Sequence, residues 1–218
     1  MIITIDGPAG AGKSSAARAL AERLGFEFLD TGAMYRAIAL AALRAGISLR
    51  DESSLAALIS TVNLQVSTGR ILMNGEDVTK EIRTARVTAA TGATADSPSV
   101  RKRLAALQRA VAAGRSMVCE GRDQGTIVFP DAGCKFFLVA DPAERARRRQ
   151  HEMASRGESI ELDDVLRAQT ERDERDAARD IAPMVPAADA IVLDSTALTP
   201  AEVVDRMEAE VRRRCACR

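Results

Sequence analysis

Gly7-Pro8-Ala9-Gly10-Ala11-Gly12-Lys13-Ser14 follows the apolar run Ile2-Ile3-Thr4-Ile5 and precedes a long alanine-rich stretch with helical spacing. Strand, glycine loop and helix in that order satisfy the phosphate-loop pattern G-x-x-x-x-G-K-[ST] at every fixed position and in its required context. Successive backbone N–H groups can curl around phosphate oxygens only where no Cβ blocks the approach, hence the glycines. Residues Gly7, Pro8, Ala9, Gly10, Ala11, Gly12, Lys13, Ser14 and Ser15 are therefore the expected triphosphate cradle. Lys13, read as solvent-facing, adds a cation for the β- and γ-phosphates, Ser14 a hydroxyl for Mg²⁺, and the helix N-terminus a partial positive charge.

Outward from this loop, apolar runs at 2–6, 26–29, 116–120, 135–139 and 190–194 alternate with helical patterns. The alternation predicts an α/β fold with a doubly wound, five-stranded parallel sheet carrying helices on both faces. Caps mark several helix starts: Asp30 before the helix through Tyr35 and Leu43, Ser97-Pro98, Asp141-Pro142-Ala143-Glu144, and Thr199-Pro200-Ala201-Glu202. Between about 62 and 83 the period changes from 3.6 to 2. Leu64-Gln65-Val66 and Ile71-Leu72-Met73, followed by Asn74-Gly75, predict a small inserted β hairpin. Around Gly157 two highly charged helices meet and read as a helical lid, about 146–165. The remaining stretches, 1–61, 84–145 and 166–218, form the core of a single domain.

Composition narrows the function classes. In 218 residues, 31 Lys and Arg balance 31 Asp and Glu, so no global field recruits nucleic acid or an anionic membrane. No apolar run approaches the roughly 18 residues of a membrane span, and no export signal precedes the first strand, so a cytoplasmic location is expected. Cys119 and Cys134 read as reduced core thiols, and Cys215 and Cys217 as part of a frayed basic tail. His151 stands alone on a charged helix and reads as surface.

A phosphate loop leaves open a switch, a motor or a kinase. The guanine-reading tetrapeptide of a GTP switch is missing, since Thr79-Lys80-Glu81-Ile82 fails at its last position, and a motor usually needs a larger chain. A small kinase remains. Phosphoryl transfer is catalysed by positioning and by cations that neutralise the oxygens of the transferred group, which calls for arginines near the loop. Three stretches supply them: Asp30 to Arg36, Glu120-Gly121-Arg122-Asp123, and a helix placing Arg172, Asp176 and Arg179 on one face.

Gly7–Ser14, D-T-G-A-M-Y-R (30–36), N-G-E-D-V-T-K-E-I-R-T (74–84), G-R-D-Q-G-T-I-V-F-P-D-A (121–132), E-R-D-E-R-D-A-A-R (171–179) and P-A-A-D-A-I-V-L-D-S-T (186–196) together resemble bacterial-type cytidylate kinase through nearly the whole chain. The resemblance implies transfer of the γ-phosphoryl of ATP to CMP or dCMP with Mg²⁺, on a core with a nucleotide-binding insert and a mobile lid; a monomer is expected. It implies that Thr31 and Arg36 contact the acceptor, that Arg101 and Asp123 read the cytosine edge, and that Arg122 holds the phosphate. Arg172 and Asp176 would bind the ribose hydroxyls and Arg179 complete the phosphate clamp, with Lys13, Arg122 and Arg179 as the catalytic cations. Ser14, and Glu120 through water, would serve the metal. A kinase for another acceptor such as UMP, or a non-catalytic nucleotide-binding module, are the alternatives. Two departures bear on base selectivity: Gly92 stands where a serine is usual, with Thr91 or Thr94 as substitutes, and Gln124 where Ile or Met is usual. The arginines at 145–149 are either lid cations or a solvated helix face.

Overall fold

The computed structural model describes residues 1–67, 69–155, 157 and 159–216. Cys217 lies outside them. Strand β1, Ile2–Asp6, is buried along almost its whole length, as a central strand flanked on both faces must be. Helix α1, Lys13–Leu24, starts at Gly12 and ends at Gly25, both in the left-handed region that glycine enters at no steric cost. Then follow β2 (Glu27–Asp30), α2 (Thr31–Arg44), α3 (Glu52–Thr61), β3 (Leu64–Ser67), β4 (Arg70–Met73) and β5 (Glu76–Asp77). The chain continues through α4 (Ala85–Asp96), α5 (Pro98–Ala112), β6 (Met117–Glu120), β7 (Cys134–Val139), α6 (Pro142–Ala154), α7 (Leu162–Ala177), β8 (Ile191–Asp194) and α8 (Pro200–Ala216).

The five long-range strands form one sheet in the order β2-β6-β1-β7-β8. β1 pairs with β7 in parallel, Ile3 opposite Cys134 and Asp6 opposite Phe137, and β7 pairs with β8 in parallel, Phe136 opposite Ile191. The chain resolves into two compact units, residues 1–26 with 118–218, and residues 27–117.

In the first unit α1 packs on α8 and α6 on α7. Its core is Ile3, Ile5, Leu20, Phe136, Leu138 and Met207, all essentially without solvent contact. In the second unit α2 packs on α4 and α5, and α3 on α5, around Met34, Ile38, Leu55, Ile82 and Leu104. β3, β4 and β5 form an antiparallel sheet of their own within this unit, with Leu64 opposite Met73. The turn between β4 and β5 puts Asn74 at φ 52° and Gly75 at φ 85°, the pair of positive angles for which Asn-Gly is suited.

The caps follow the sequence. Asp30 accepts from Ala33 N at 2.9 Å, Ser97 from Val100 N at 3.3 Å, and Asp141 from Ala143 N at 2.9 Å and Glu144 N at 3.1 Å. Thr199 and Glu202 make the reciprocal pair of a capping box, 2.8 Å and 3.3 Å. At α6 the box is half formed, because Glu144 turns to Arg147 and Arg148 and the Asp141 N–H donates to Thr196. Cys119 and Cys134 are fully buried, and burial pushes their thiols up to about 12 and about 11. Cys215 belongs to the last turn of α8, where its thiol lies 3.5 Å from Met1 Sδ, so the tail is helical to that point. His151 is exposed.

Among the glycines whose surroundings are described, Gly7 has the tightest steric requirement. At φ 135° a Cβ would stand 2.1 Å from the backbone oxygen of Leu138. Gly7→Ala is expected to cost at least about 2 kcal/mol and to lower the melting temperature by about 4 °C or more. Gly46→Ala, at φ 66° with open space around it, should cost about half as much. Thermal unfolding of the two variants, monitored by circular dichroism, checks the order; equal shifts would contradict it.

Candidate active site

The phosphate loop belongs to the first unit and is held from three sides. Gly7 lies against β7 at Leu138, as described. Ala9 N donates to Asp173 Oδ1 at 3.2 Å, and Ala9 O accepts from Arg145 Nη1 at 2.9 Å. Arg145 also donates to Asp173 Oδ2 and to Ala140 O, the latter at 3.1 Å. Gly10 sits against Gln169 and Arg145, where a Cβ would meet Gln169 Nε2 at 2.8 Å. Residues 169, 173 and 176 follow helical i, i+4, i+7 spacing, and this face of α7 turns inward.

Lys13 is not solvent-facing. It is 7 % exposed, and its ammonium donates to Pro8 O at 2.6 Å. Burial, with repulsion from Arg122 and Arg172, holds its pKa well below the usual lysine range, while Glu120 and Asp6 oppose the shift. Lys13 thus stands among the guanidiniums of Arg122 and Arg172 and the carboxylates of Glu120 and Asp6. Ser14 Oγ donates to Glu120 Oε1 at 2.7 Å, so a hydroxyl and a buried carboxylate lie side by side. These are hard oxygen donors of the kind Mg²⁺ takes, alongside waters and substrate phosphates. Among the described residues no cluster of three or more His, Cys, Asp or Glu could hold a metal.

Asp176 is the hub of the arginines. It is 2 % exposed and accepts from Arg122 Nε at 3.1 Å and from Arg179 Nη2 at 2.7 Å, with Arg172 Nε at 3.9 Å. α7 ends at Ala177, so Arg179 lies beyond the helix and folds back to the carboxylate. The single helix face expected for Arg172, Asp176 and Arg179 is thus a helix end plus its exit. Arg122 also donates to Gly121 O at 3.1 Å. Asp123, buried beside Arg122, opens a π-helical turn, Gln124–Val128. Gln124 is 1 % exposed and its Oε1 has no partner; nothing in the surroundings explains the amide.

Of the arginines on α6, Arg145 is buried against the loop, and Arg148 donates to Ser195 O at 2.7 Å and Thr196 O at 3.2 Å. Arg147 and Arg149 pair with Glu144 and Glu152 on the helix surface.

The second unit holds Thr31, Arg36 and Arg101. Thr31 is the buried first residue of α2, after the Asp30 cap, to which Arg83 Nη2 also donates at 3.3 Å. Arg36 Nη1 donates to Thr88 Oγ1 at 2.6 Å. Arg101 donates to Ala95 O at 3.0 Å and lies 5.8 Å from the ring centroid of Tyr35, a cation–π contact that orients it. Thr94 is fully buried with its hydroxyl on Ala90 O, and Thr91 donates to Val87 O, so both hydroxyls are turned to their own helix in place of the serine missing at Gly92.

Asp6 and Thr88 were given no role by the sequence reading, nor were Tyr35 and Asp173, although both lie inside quoted motifs. Asp6 was signalled only as a charge closing an apolar strand, and Asp173 by its register with Gln169 and Asp176.

The family model for cytidylate kinase matches residues 3–213. A cytidylate kinase of Rhodopirellula baltica is 49% identical over 212 residues, covering 97% of this chain and 93% of the relative. One of Pelotomaculum thermopropionicum is 49% identical (96% and 95% covered), and one of Mycobacterium leprae 45% (98% and 96% covered). Among solved structures the fold is similar to a shikimate kinase of Bacteroides thetaiotaomicron, TM-score 0.50 at 13% identity, covering 97% of this chain and 98% of that one.

Removing the hub carboxylate, itself 2 % exposed, takes away the acceptor that Arg122 and Arg179 share. Asp176→Ala is expected to destabilise the chain by about 3 kcal/mol or more. Asp164→Ala, which breaks an exposed pair with Arg167, should barely move the urea midpoint. Urea unfolding of both variants checks this, and similar midpoints would deny Asp176 its central place.

Proposed function

We propose the following division of labour on the premise that this chain belongs to the cytidylate kinase family and is an enzyme that transfers the γ-phosphoryl of ATP to CMP and dCMP. The observation that carries it is the burial of the Lys13 ammonium near Arg122 and Arg172, a concentration of cations that two phosphorylated substrates would neutralise.

The loop of residues 7–15 takes the triphosphate on its backbone N–H groups, other than Pro8, which has none, and Ala9, whose N–H donates to Asp173, and Lys13 follows the charge that develops on the γ-phosphoryl. An oxygen of the acceptor's phosphate forms the new bond to the γ-phosphorus as the bond to the bridging oxygen of ADP breaks. That attacking oxygen is already anionic, so no general base is required. Arg122 and Arg179 neutralise the equatorial oxygens, and Asp176 keeps the two guanidiniums in place beforehand. Ser14, and Glu120 through water, would hold Mg²⁺, which supplies further positive charge to the phosphates when bound.

For the acceptor, Arg36 serves the phosphate and Thr31 the nucleotide body. Arg172 and Asp176 serve the ribose; each carboxylate oxygen has two lone pairs, so the arginine contacts leave Asp176 an acceptor for a hydroxyl. Asp123 accepts from the C4 amino group of cytosine, with Arg101 beside the base. Uracil would set a carbonyl oxygen against that carboxylate, so part of the selectivity is repulsion. The hairpin at about 62–83 and the helix pair about 146–165 are the insert and lid that close over the substrates and exclude water, which would otherwise hydrolyse ATP. No helix among the described residues is long and apolar enough to cross a membrane. The same reading takes the enzyme as a monomer in the cytoplasm.

A coupled ADP-release assay over CMP, dCMP, UMP and AMP tests the reading as a whole, with CMP and dCMP expected to lead. Lys13→Ala should remove several orders of magnitude of turnover from a protein that still folds. Asp123→Ala should lower kcat/KM strongly for CMP and little for UMP; a common factor for both would take base reading away from Asp123. Arg172→Ala should cost CMP about tenfold and dCMP less, because only the ribonucleotide loses a hydrogen bond. Equal losses would assign Arg172 to the phosphate.

A further inference from the structure

We infer that Asp6 is a positioning residue for acceptor recognition, its carboxylate capping from β1 the turn that carries Asp123. Asp6 is the last residue of β1 and is 4 % exposed. A carboxylate that deep is retained only where hydrogen bonds replace its water. Here the replacement is backbone: Oδ1 accepts from Gln124 N at 2.9 Å and Oδ2 from Gly125 N at 2.7 Å.

Those two N–H groups begin the π-helical turn Gln124–Val128, in which Asp123 O accepts from Ile127 N at 2.9 Å and Val128 N at 3.3 Å. The first N–H groups of any helical turn lack partners inside it, and the residue before the turn ordinarily supplies one from its side chain. Asp123 makes no such cap. Asp6 takes that part from a different strand, which releases the Asp123 carboxylate from capping its own turn. Close approach is built in, because a Cβ on Gly125 would meet Thr4 Oγ1 at 2.9 Å, Lys135 Cδ at 3.3 Å and Asp6 Oδ2 at 3.4 Å. Asp6 is also bonded through its own peptide to Gly7. One residue therefore ties the phosphate loop, covalently, to the segment Arg122-Asp123, by hydrogen bonds.

The contact is sensitive to protonation. Burial, and to a lesser degree Asp123, push the Asp6 carboxyl up while the Gly125 and Gln124 N–H groups and Lys13 pull it down, the balance lying at about 6. Cys119 of β6 also faces it, and Lys135 of β7 lies beyond Gly125 with its ammonium on Asp189 and Pro130 O. Above about pH 6 both oxygens accept. As pH falls through 6 a proton occupies one of them and one backbone bond is lost.

The inference rests on Asp123 as the cytosine reader, and two measurements keep the two ideas apart. In the wild-type protein without substrates, the amide resonances of Gln124 and Gly125 should titrate together with a midpoint of about 6. In Asp6→Asn, an amide N–H₂ replaces one acceptor, and kcat/KM for CMP should fall about 10- to 100-fold. The loss should appear mainly in the KM for CMP, with the KM for ATP within about twofold of wild type and the CMP:UMP preference narrowed. The acceptor's phosphate itself ionises near pH 6, roughly. Its limb of the pH profile should persist in the variant while the contribution of Asp6 disappears, leaving a shallower acid limb. Amide shifts of Gln124 and Gly125 that show no titration anywhere between about pH 3 and 7 would overturn the contact without a variant that must fold. KM values for ATP and CMP rising together, with the CMP:UMP preference unchanged, would reduce Asp6 to a stabilising residue. Failure of the base-reader reading shows separately, as equal losses for CMP and UMP in Asp123→Ala.

Discussion

The first unit is arranged around a backbone that must approach its neighbours more closely than any side chain permits. Gly7 touches the Leu138 carbonyl with no room for a methyl group, and Gly10 sits, less tightly, against Gln169 and Arg145. Such contacts give the loop its curvature, and the curvature aims its N–H groups. A phosphate cradle made of main chain depends on rigid surroundings, since it has no side chains of its own to lock. β7 supplies one wall, and Arg145 with Asp173 grips the Ala9 peptide at both its oxygen and its nitrogen.

Charge is the second organising quantity. Each cation of the first unit that could meet a phosphate has a carboxylate close by: Glu120 and Asp6 near Lys13, Asp176 for Arg122 and Arg179, Asp173 for Arg145. Buried cations left without partners would cost several kcal/mol each, so the carboxylates stabilise the substrate-free protein. In the proposed reaction they would also orient the guanidiniums before substrate arrives, which would spare reorganisation during the transfer step. The same pairs restrain the arginines, and the balance between orientation and restraint is a property of distance that sequence spacing does not contain.

Family membership and geometry contribute different things. The similarity to cytidylate kinases over residues 3–213 gives the reaction and its substrates. Geometry gives the environment of each side chain: a lysine buried, an arginine beyond its helix end, a tyrosine under Arg101. Gly92 and Gln124 are the two positions that the sequence reading set apart from the family pattern. Around Gly92 the neighbouring threonines are turned to their own helix, so the serine has no evident replacement in α4.

The sequence by itself determined the strand–loop–helix at residues 2–24, the five strands, the helix caps at Asp30, Ser97, Asp141 and Thr199, and the Asn74-Gly75 turn. All of these are local: they depend on periodicity, on a capping oxygen a few residues away, or on a glycine's freedom at one φ. The motifs likewise pointed to a kinase of the cytidylate family. Tertiary structure alone decided that Lys13 is buried, that Arg145 braces the loop instead of joining a lid, that Asp176 binds arginines from two places, and that Asp6 caps a turn more than a hundred residues away. Each of these joins groups distant in the chain, and its strength comes from burial, which raises the cost of an unpaired charge and the value of a hydrogen bond. Spacing along one segment carries no record of which distant carbonyl or carboxylate will fill the space beside it.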